Sequence, residues 1–432
     1  MTARSTSALH IALPTELWWM CLSYLSRGEL QQLRHVSRFF AWLSFQLLFE
    51  TISWSTPMPA VLWAPPLALE DAVDALQSFV APQPDDEAAA PAQRSVRNFA
   101  FRGLPRGLRT SLFSPRVNDA YASYLSLFHH ALGVFSGLRG VHLADIPITD
   151  AVLDLLKALP ALSALELSDC EMACKPSAPG GDWEPLHLQD FIVVQTRRCD
   201  AVYSRVCGTL VAPDRLERLI VADEQWASAM LDAWGTQTLD ALRYLTIRVE
   251  RAQSAAFLAF LKRCPGLVSL FLAPDSTLEV SDLGASLGET ETLSPLAIPQ
   301  LNVFEGPIQV APAFMAGRSV RATRLDTASV FPTMGVNVLV PLSREAALDQ
   351  LYRSLSLPDA AKMHALRVDD VWLDSDVLKM VEKHVPKLKL LEVYLAGDVP
   401  GGRGPERPQL VADGLSIEVM ICLFWPPVLH TK

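Results

Sequence analysis

Leu162-Ser163-Ala164-Leu165-Glu166-Leu167-Ser168-Asp169-Cys170 is the stretch on which the fold turns. Its apolar residues sit at positions one, four and six, with a cysteine at position nine. The last two leucines alternate with polar residues, the period-two pattern of a half-buried strand. A segment this short has nothing of its own against which to bury Leu162, Leu165 and Leu167. It needs a neighbour of the same kind.

Such neighbours recur. The same spacing is found at Leu138/Val141/Leu143, Leu216/Leu219/Val221, Leu242/Leu245/Ile247, Leu267/Leu270/Leu272, Met363/Leu366/Val368 and Leu388/Leu391/Val393. Consecutive copies stand about 25 residues apart. Val96/Phe99/Phe101 reads as a first, atypical copy, and Leu301/Phe304 and Val320/Thr323/Leu325 as degenerate ones. Amphipathic helical segments lie between many of them, at 149–159, 224–234, 252–263, 344–355 and 374–385. Pro160, Pro265 and Pro386 stand just after such segments, where proline stops a helix and leaves the next residues extended. Strand and helix alternating at this period resemble the leucine-rich repeat. The expected fold for 96–432 is an α/β leucine-rich-repeat solenoid, an irregular horseshoe with parallel strands on its inner face. Each repeat buries its apolar strand and helix face against the next. Asparagine is scarce, so an asparagine ladder cannot be general here.

Upstream lies a different kind of sequence. Leu13-Pro14-Thr15-Glu16-Leu17 opens a helix, since Pro14 lacks only an N–H that the first turn does not use. Leu17, Met20, Cys21 and Tyr24 mark one face of it, and Trp18, Leu22 and Leu25 another. A helix apolar on two faces must be covered on most of its circumference. Ser26-Arg27-Gly28-Glu29 has the form of a capping box before a second helix, which the spacing carries through Leu30, Leu33, Val36, Ser37 and Phe40. Leu43, Leu47 and Leu48 predict a third. A three-helix unit this small has a marginal core and is stabilised by binding something else.

Leu13 to Leu17, Tyr24-Leu25, Leu30 to Ser37 and Phe40 together resemble the F-box. The resemblance implies docking on the Skp-type adaptor of a cullin–RING ubiquitin ligase. The residues expected to carry it are Leu13, Pro14, Glu16, Leu17, Leu22, Leu25, Leu30, Leu33, Val36, Ser37 and Phe40. Two positions depart from the family pattern: Trp18-Trp19 are bulky, and Gly28 replaces a charged residue. The expected organisation is a flexible tail over 1–10, an F-box over 11–56, and a connecting helix with an acidic Pro/Ala-rich linker over 57–95. The solenoid follows over 96–432. Long loops are expected at 81–93, 175–184 and 401–408, and a last buried strand at 415–424.

Half of the 432 residues are hydrophobic, which excludes general disorder. The net charge is −10 with no basic cluster, which disfavours nucleic acid as a partner. The longest uncharged stretch, 120–138, holds His129-His130 and several Ser and Gly residues and makes a poor membrane span. Seven cysteines at irregular spacing do not form a disulfide framework. Cys170, Cys174, His187, Cys199 and Cys207 lack any Cys-x-x-Cys spacing and read as buried or loop thiols rather than as zinc ligands. No phosphate-cradling glycine loop or nucleophile elbow occurs, and Asp85-Asp86 and Asp369-Asp370 read as solvated acids. The chain is therefore expected to be a non-enzyme without cofactor or metal, cytoplasmic or nuclear. It would present an unknown protein substrate to a ligase whose cullin and RING subunits join through the Skp-type adaptor. The alternatives are a Skp-binding or free-standing repeat scaffold with no ligase role, and, less favoured, an α/β-domain enzyme. Outward positions of the repeat strands, Tyr244, Arg248, Phe271, Arg367 and Tyr394, are the expected substrate contacts, because aromatic and Arg side chains anchor interfaces.

Overall fold

The computed structural model describes residues 14–55, 67–81, 89–104, 115–174, 184–194, 208–234, 237–250, 253–273, 293–326, 328–333, 336–369, 375–396 and 418–424. The chain divides into two compact units, Met1–Leu165 and Glu166–Lys432. Both alternate helices with parallel strands.

The first unit begins with three helices, α1 (Thr15–Leu22), α2 (Arg27–Leu33) and α3 (Arg38–Glu50). The capping box forms: Ser26 Oγ accepts from Glu29 N at 3.4 Å, and Ser26 N donates to Glu29 Oε2 at 2.7 Å. The second helix is shorter than the apolar spacing predicts. It stops at Leu33, and Ser37 caps α3 instead, its hydroxyl accepting from Phe40 N at 3.2 Å. Serine at position 37 competes with helix continuation by offering its oxygen to a first-turn N–H.

At Glu50 the third helix passes directly into strand β1 (Thr51–Ser55). This strand pairs in parallel with β2 (Asn98–Arg102), which pairs in parallel with β3 (Gly140–Ala144). Between β1 and β2 lie α4 (Leu67–Val80) and α5 (Ala89–Ser95); between β2 and β3 lies α6 (Pro115–Val134). The expected loop over 81–93 thus contains the start of a helix, as an alanine-rich run permits. The Gln93 side chain ties it to the end of α4 by donating to Phe79 O at 2.8 Å and Val80 O at 3.1 Å. An unbroken series of ring contacts holds the unit together. Phe49 stacks on Phe79 at 5.8 Å, Trp54 meets Phe79 and Phe99, and Phe99 meets Phe128, which stacks on Phe101 at 4.3 Å. Burial of such rings is among the largest apolar contributions a small unit can gather.

The second unit is a parallel ladder whose strands neighbour one another in chain order: Asp190–Val194, Arg218–Val221, Tyr244–Ile247, Ser269–Leu272, Val303–Pro307, Ala322–Asp326, Ala365–Asp369, Leu390–Ala396 and Glu418–Phe424. The register aligns Phe191, Leu219, Leu245, Leu270, Phe304, Thr323, Leu366 and Leu391 in one buried column. These are the middle residues of the repeating triplet. The degenerate copies at 301–304 and 320–325 are therefore real strands. Thr323 is the exception in chemistry, with its Oγ1 buried and without a hydrogen-bond partner among the described residues. The strand Asp190–Val194 carries a further copy of the triplet, Leu188/Phe191/Val193, which the apolar Ile192 and Val194 obscure in the sequence; the antiparallel hairpin Ala328–Thr333/Val336–Pro341 lies outside the pattern.

In place of an asparagine ladder, arginines join neighbouring repeats. Arg97, immediately before β2, donates to Gly137 O at 3.1 Å, and Arg243, immediately before Tyr244–Ile247, donates to Gly266 O at 2.7 Å. In both cases the acceptor glycine lies three residues before the adjacent strand. A third arginine, Arg318, is 2% exposed and faces no carboxylate among the described residues. Its guanidinium donates instead to the carbonyls of Ala313, Phe314, Ala316, Leu293 and Ser294. Burial lowers its pKa to about 10, which leaves it charged at neutral pH.

Candidate functional site

The helical module resolves the two-faced pattern of its first helix. Trp18, Leu22 and Leu25 turn inward with Leu30, Leu33, Phe40, Leu43 and Leu48. The other face is left outside: Leu17, Met20 and Tyr24 are exposed, as are Val36, Phe39 and Trp42. Only three other large apolar side chains are exposed among the described residues, Tyr244, Leu296 and Tyr352. Concentration of apolar surface on one small module is the mark of a surface that is covered in an assembly. Trp18 braces it from beneath, edge-on to Phe39 at 6.4 Å and to Phe40 at 5.1 Å.

Of the residues expected to dock, Pro14, Glu16, Leu17, Val36 and Ser37 are exposed. Leu25, Leu33 and Phe40 are partly buried, and Leu22 and Leu30 lie inside the module's own core. Leu13 lies outside the described residues. The spacing rule had marked Met20 and Tyr24 as one helix face; Phe39 and Trp42 carried no separate signal.

On the second unit's ladder, the residues between the buried positions form a second row: Ile192, Ile220, Thr246, Phe271, Glu305, Arg324, Arg367 and Glu392. The row changes from apolar to charged at Glu305. Phe271 and Arg367 fall on this row, and Tyr244, half exposed, sits on the same strand as Thr246. The backbone of Tyr394 pairs with Asp369 and Cys422, and its side chain lies outside the described ones. Arg248 follows the strand end and lies 3.9 Å from Glu224. Sequence reasoning missed Glu305 and Arg324, where the repeat spacing is degenerate, and Glu392, an outward residue of a regular copy that is neither aromatic nor Arg.

Asp369 is not a solvated acid. Arg324 reaches its Oδ2 at 2.9 Å and Arg367 its Oδ1 at 3.0 Å, so one carboxylate bridges two guanidinium groups. Asp370 lies outside the described residues, as do Asp85-Asp86. Glu305, 3.8 Å from Arg324, has its pKa raised chiefly by burial. The four strands from Val303 to Leu390 frame a recess of about 170 Å³, floored by the small side chains of Ala322 and Ala365.

Titratable groups elsewhere have structural partners. Glu224 is pushed up to about 7, first by burial and then by its hydrogen bond to the Glu250 carboxyl. Cys170, Cys174 and Cys264 are buried thiols, and burial raises Cys264 to about 12. His187 meets Asp214 at 3.2 Å, while Cys199 and Cys207 lie outside the described residues. Burial lowers the pKa of His129, and its neighbour His130 points outward. Among the described residues no cluster of His, Cys, Asp and Glu is arranged to hold a metal, and no helix is long and apolar enough to cross a membrane.

No protein-family model and no curated protein sequence matches the chain. Among solved structures, a chain in the crystal structure of the yeast Rad7 and Elc1 complex is similar at 13% identity, covering 93% of this chain and 97% of that one. The TM-score is 0.34, too low for the likeness to bear on fold or function.

Proposed function

We propose that this chain is a non-catalytic adaptor. Its helical module, the F-box of the sequence reading, docks on the Skp-type subunit of a cullin–RING ubiquitin ligase. Its irregular repeats hold a protein substrate for transfer by the other subunits, in the cytoplasm or nucleus. The observation that carries this reading is the outward apolar face of α1–α3, with Leu17, Met20, Tyr24, Val36, Phe39 and Trp42 exposed around a core that is already complete without them. An adaptor acts by position: it raises the effective concentration of target lysines at the transfer enzyme. The ring contacts from Phe49 through Phe79 and Trp54 support this reading, because they fasten the module to its own unit.

Co-expression of the full chain with a Skp-type adaptor tests the proposal. The expected result is co-purification that is lost when Leu17→Asp is combined with Val36→Asp, with the melting temperature unchanged. Failure of the wild-type chain to retain the adaptor refutes the docking assignment. Retention without ubiquitin transfer in a cullin-containing assay favours the scaffold alternative.

A further inference from the structure

A second surface of the first unit has a character that the adaptor reading does not use. The parallel register sets Thr51, Asn98 and Gly140 side by side, so the residues one step earlier, Glu50, Arg97 and Arg139, form a row across the strand starts. Backbone hydrogen bonds fix that row: Arg97 N donates to Glu50 O at 2.8 Å, and Arg139 N to Arg97 O at 2.7 Å. Neighbouring strands lie about 4.8 Å apart, which brings two arginines to adjacent positions. Arg94, in the last turn of α5, adds a third. Trp42, Phe45, Gln46 and Glu50 follow at helical spacing on α3 and line the same recess as the arginines, together with Trp19 of α1.

These side chains line one recess of about 600 Å³. It holds three arginines against one glutamate in a chain whose net charge is −10. Arg94 and Arg139 are exposed and meet no carboxylate among the described residues, and Arg97 spends one N–H on Gly137 O. Two indoles and a phenyl ring line it as well. The recess thus combines aromatic and basic side chains.

We infer that this recess is a binding site for an acidic peptide segment of a partner protein, one in which an aromatic or aliphatic anchor is flanked by Asp and Glu. The anchor lies against Trp19, Trp42 and Phe45, and the carboxylates meet Arg94, Arg97 and Arg139. Arginine suits this role because its planar fork accepts a carboxylate in a bidentate geometry. Aromatic side chains in the same recess favour a peptide that carries an apolar anchor with its carboxylates over one compact anion. The inference stands apart from the docking proposal, since it adds a charged requirement, carried by Arg94, Arg97 and Arg139, and shares only Trp42 with the exposed apolar face.

The test uses the full chain without any adaptor. The probe is a fluorescein-labelled synthetic peptide of Asp and Glu around one central Phe, followed by fluorescence polarisation. The expected result is saturable binding that weakens at least tenfold when Arg94→Glu is combined with Arg139→Glu, and that falls as salt screens the charges. Should the reversals unfold the chain, Arg94→Ser with Arg139→Ser serves instead, with a smaller loss expected. Equal binding of a peptide with Asn and Gln in place of the acids would overturn the inference, as would variants that bind as tightly as wild type. Displacement of the probe by inorganic phosphate as effectively as by unlabelled acidic peptide would also overturn it, assigning a simple anion site.

Discussion

The helical module and the second unit's parallel ladder use similar residues in opposite ways. In the ladder, Leu245, Leu270, Leu366 and Leu391 fall in one register column, with Phe304 and Thr323 between the two leucine pairs, and all are buried. In the module, inward and outward faces are both apolar, and Leu17, Met20 and Tyr24 remain outside after Leu22, Leu30, Leu43 and Leu48 have closed the core. A strand repeated every 25 residues or so finds its cover in the next repeat, so apolar surface is consumed within the array. A three-helix module has no next copy. Apolar residues beyond what its core can enclose are surface, the surface on which the proposed docking rests.

Paired substitutions break or sharpen the contrast most directly. Leu270→Ala removes a side chain packed between register neighbours Leu245 and Phe304, and should lower unfolding free energy by about 3 kcal/mol. Leu17→Ala, at 44% exposure, should change it by no more than ~0.5 kcal/mol. Urea unfolding measures both. Similar losses at the two sites would mean that the module's outer face is internally covered and that the contrast is false.

Arg318 gives the next largest effect. Arg318→Met keeps an apolar stem but withdraws the donors to five carbonyls, of which those of Phe314 and Leu293 are buried. The expected cost is roughly 3 kcal/mol, from charged hydrogen bonds lost and polar groups stranded. Arg318→Lys should recover only part of it, since an ammonium cannot reproduce the planar fork. An unchanged urea midpoint in Arg318→Met would show that this part of the ladder is held by apolar contact without the arginine's hydrogen bonds.

The smallest effect is a dependence on pH. Glu224 in the folded chain holds its proton up to about pH 7, whereas the ordinary value is 4.5. Between those values the folded state binds more protons than the unfolded one, so stability falls as pH rises from about 4.5 through 7. Glu224→Gln should flatten that part of the profile, read from urea midpoints across the range. A profile of unchanged slope would place the proton elsewhere.

Much of this was legible in the chain because both periodicities are local. The triplet at Leu267/Leu270/Leu272 announces a strand, and Ser26 with Glu29 announces a helix start, from residues a few positions apart. What escaped has a physical reason in each case. The strand Asp190–Val194 has its triplet Leu188/Phe191/Val193 masked by the apolar Ile192 and Val194, although burial alternates along it. The helix Ala89–Ser95 sits in a stretch whose composition reads as linker. Asp369 looks like a solvated acid until the ladder brings Arg324, forty-five residues away, to its carboxylate.

The sequence by itself determined the elements: helix starts, the spacing of strands, and which leucines alternate. It also determined that the first helix has two apolar faces. Only the tertiary structure decided between those faces, turning Trp18 and Leu22 inward and leaving Leu17 and Tyr24 outside. Register likewise decided that Glu50, Arg97 and Arg139, far apart in the chain, stand in one row. Periodicity is a property of neighbours along the backbone. Burial and charge juxtaposition are properties of neighbours in space, and those exist only once the strands have paired.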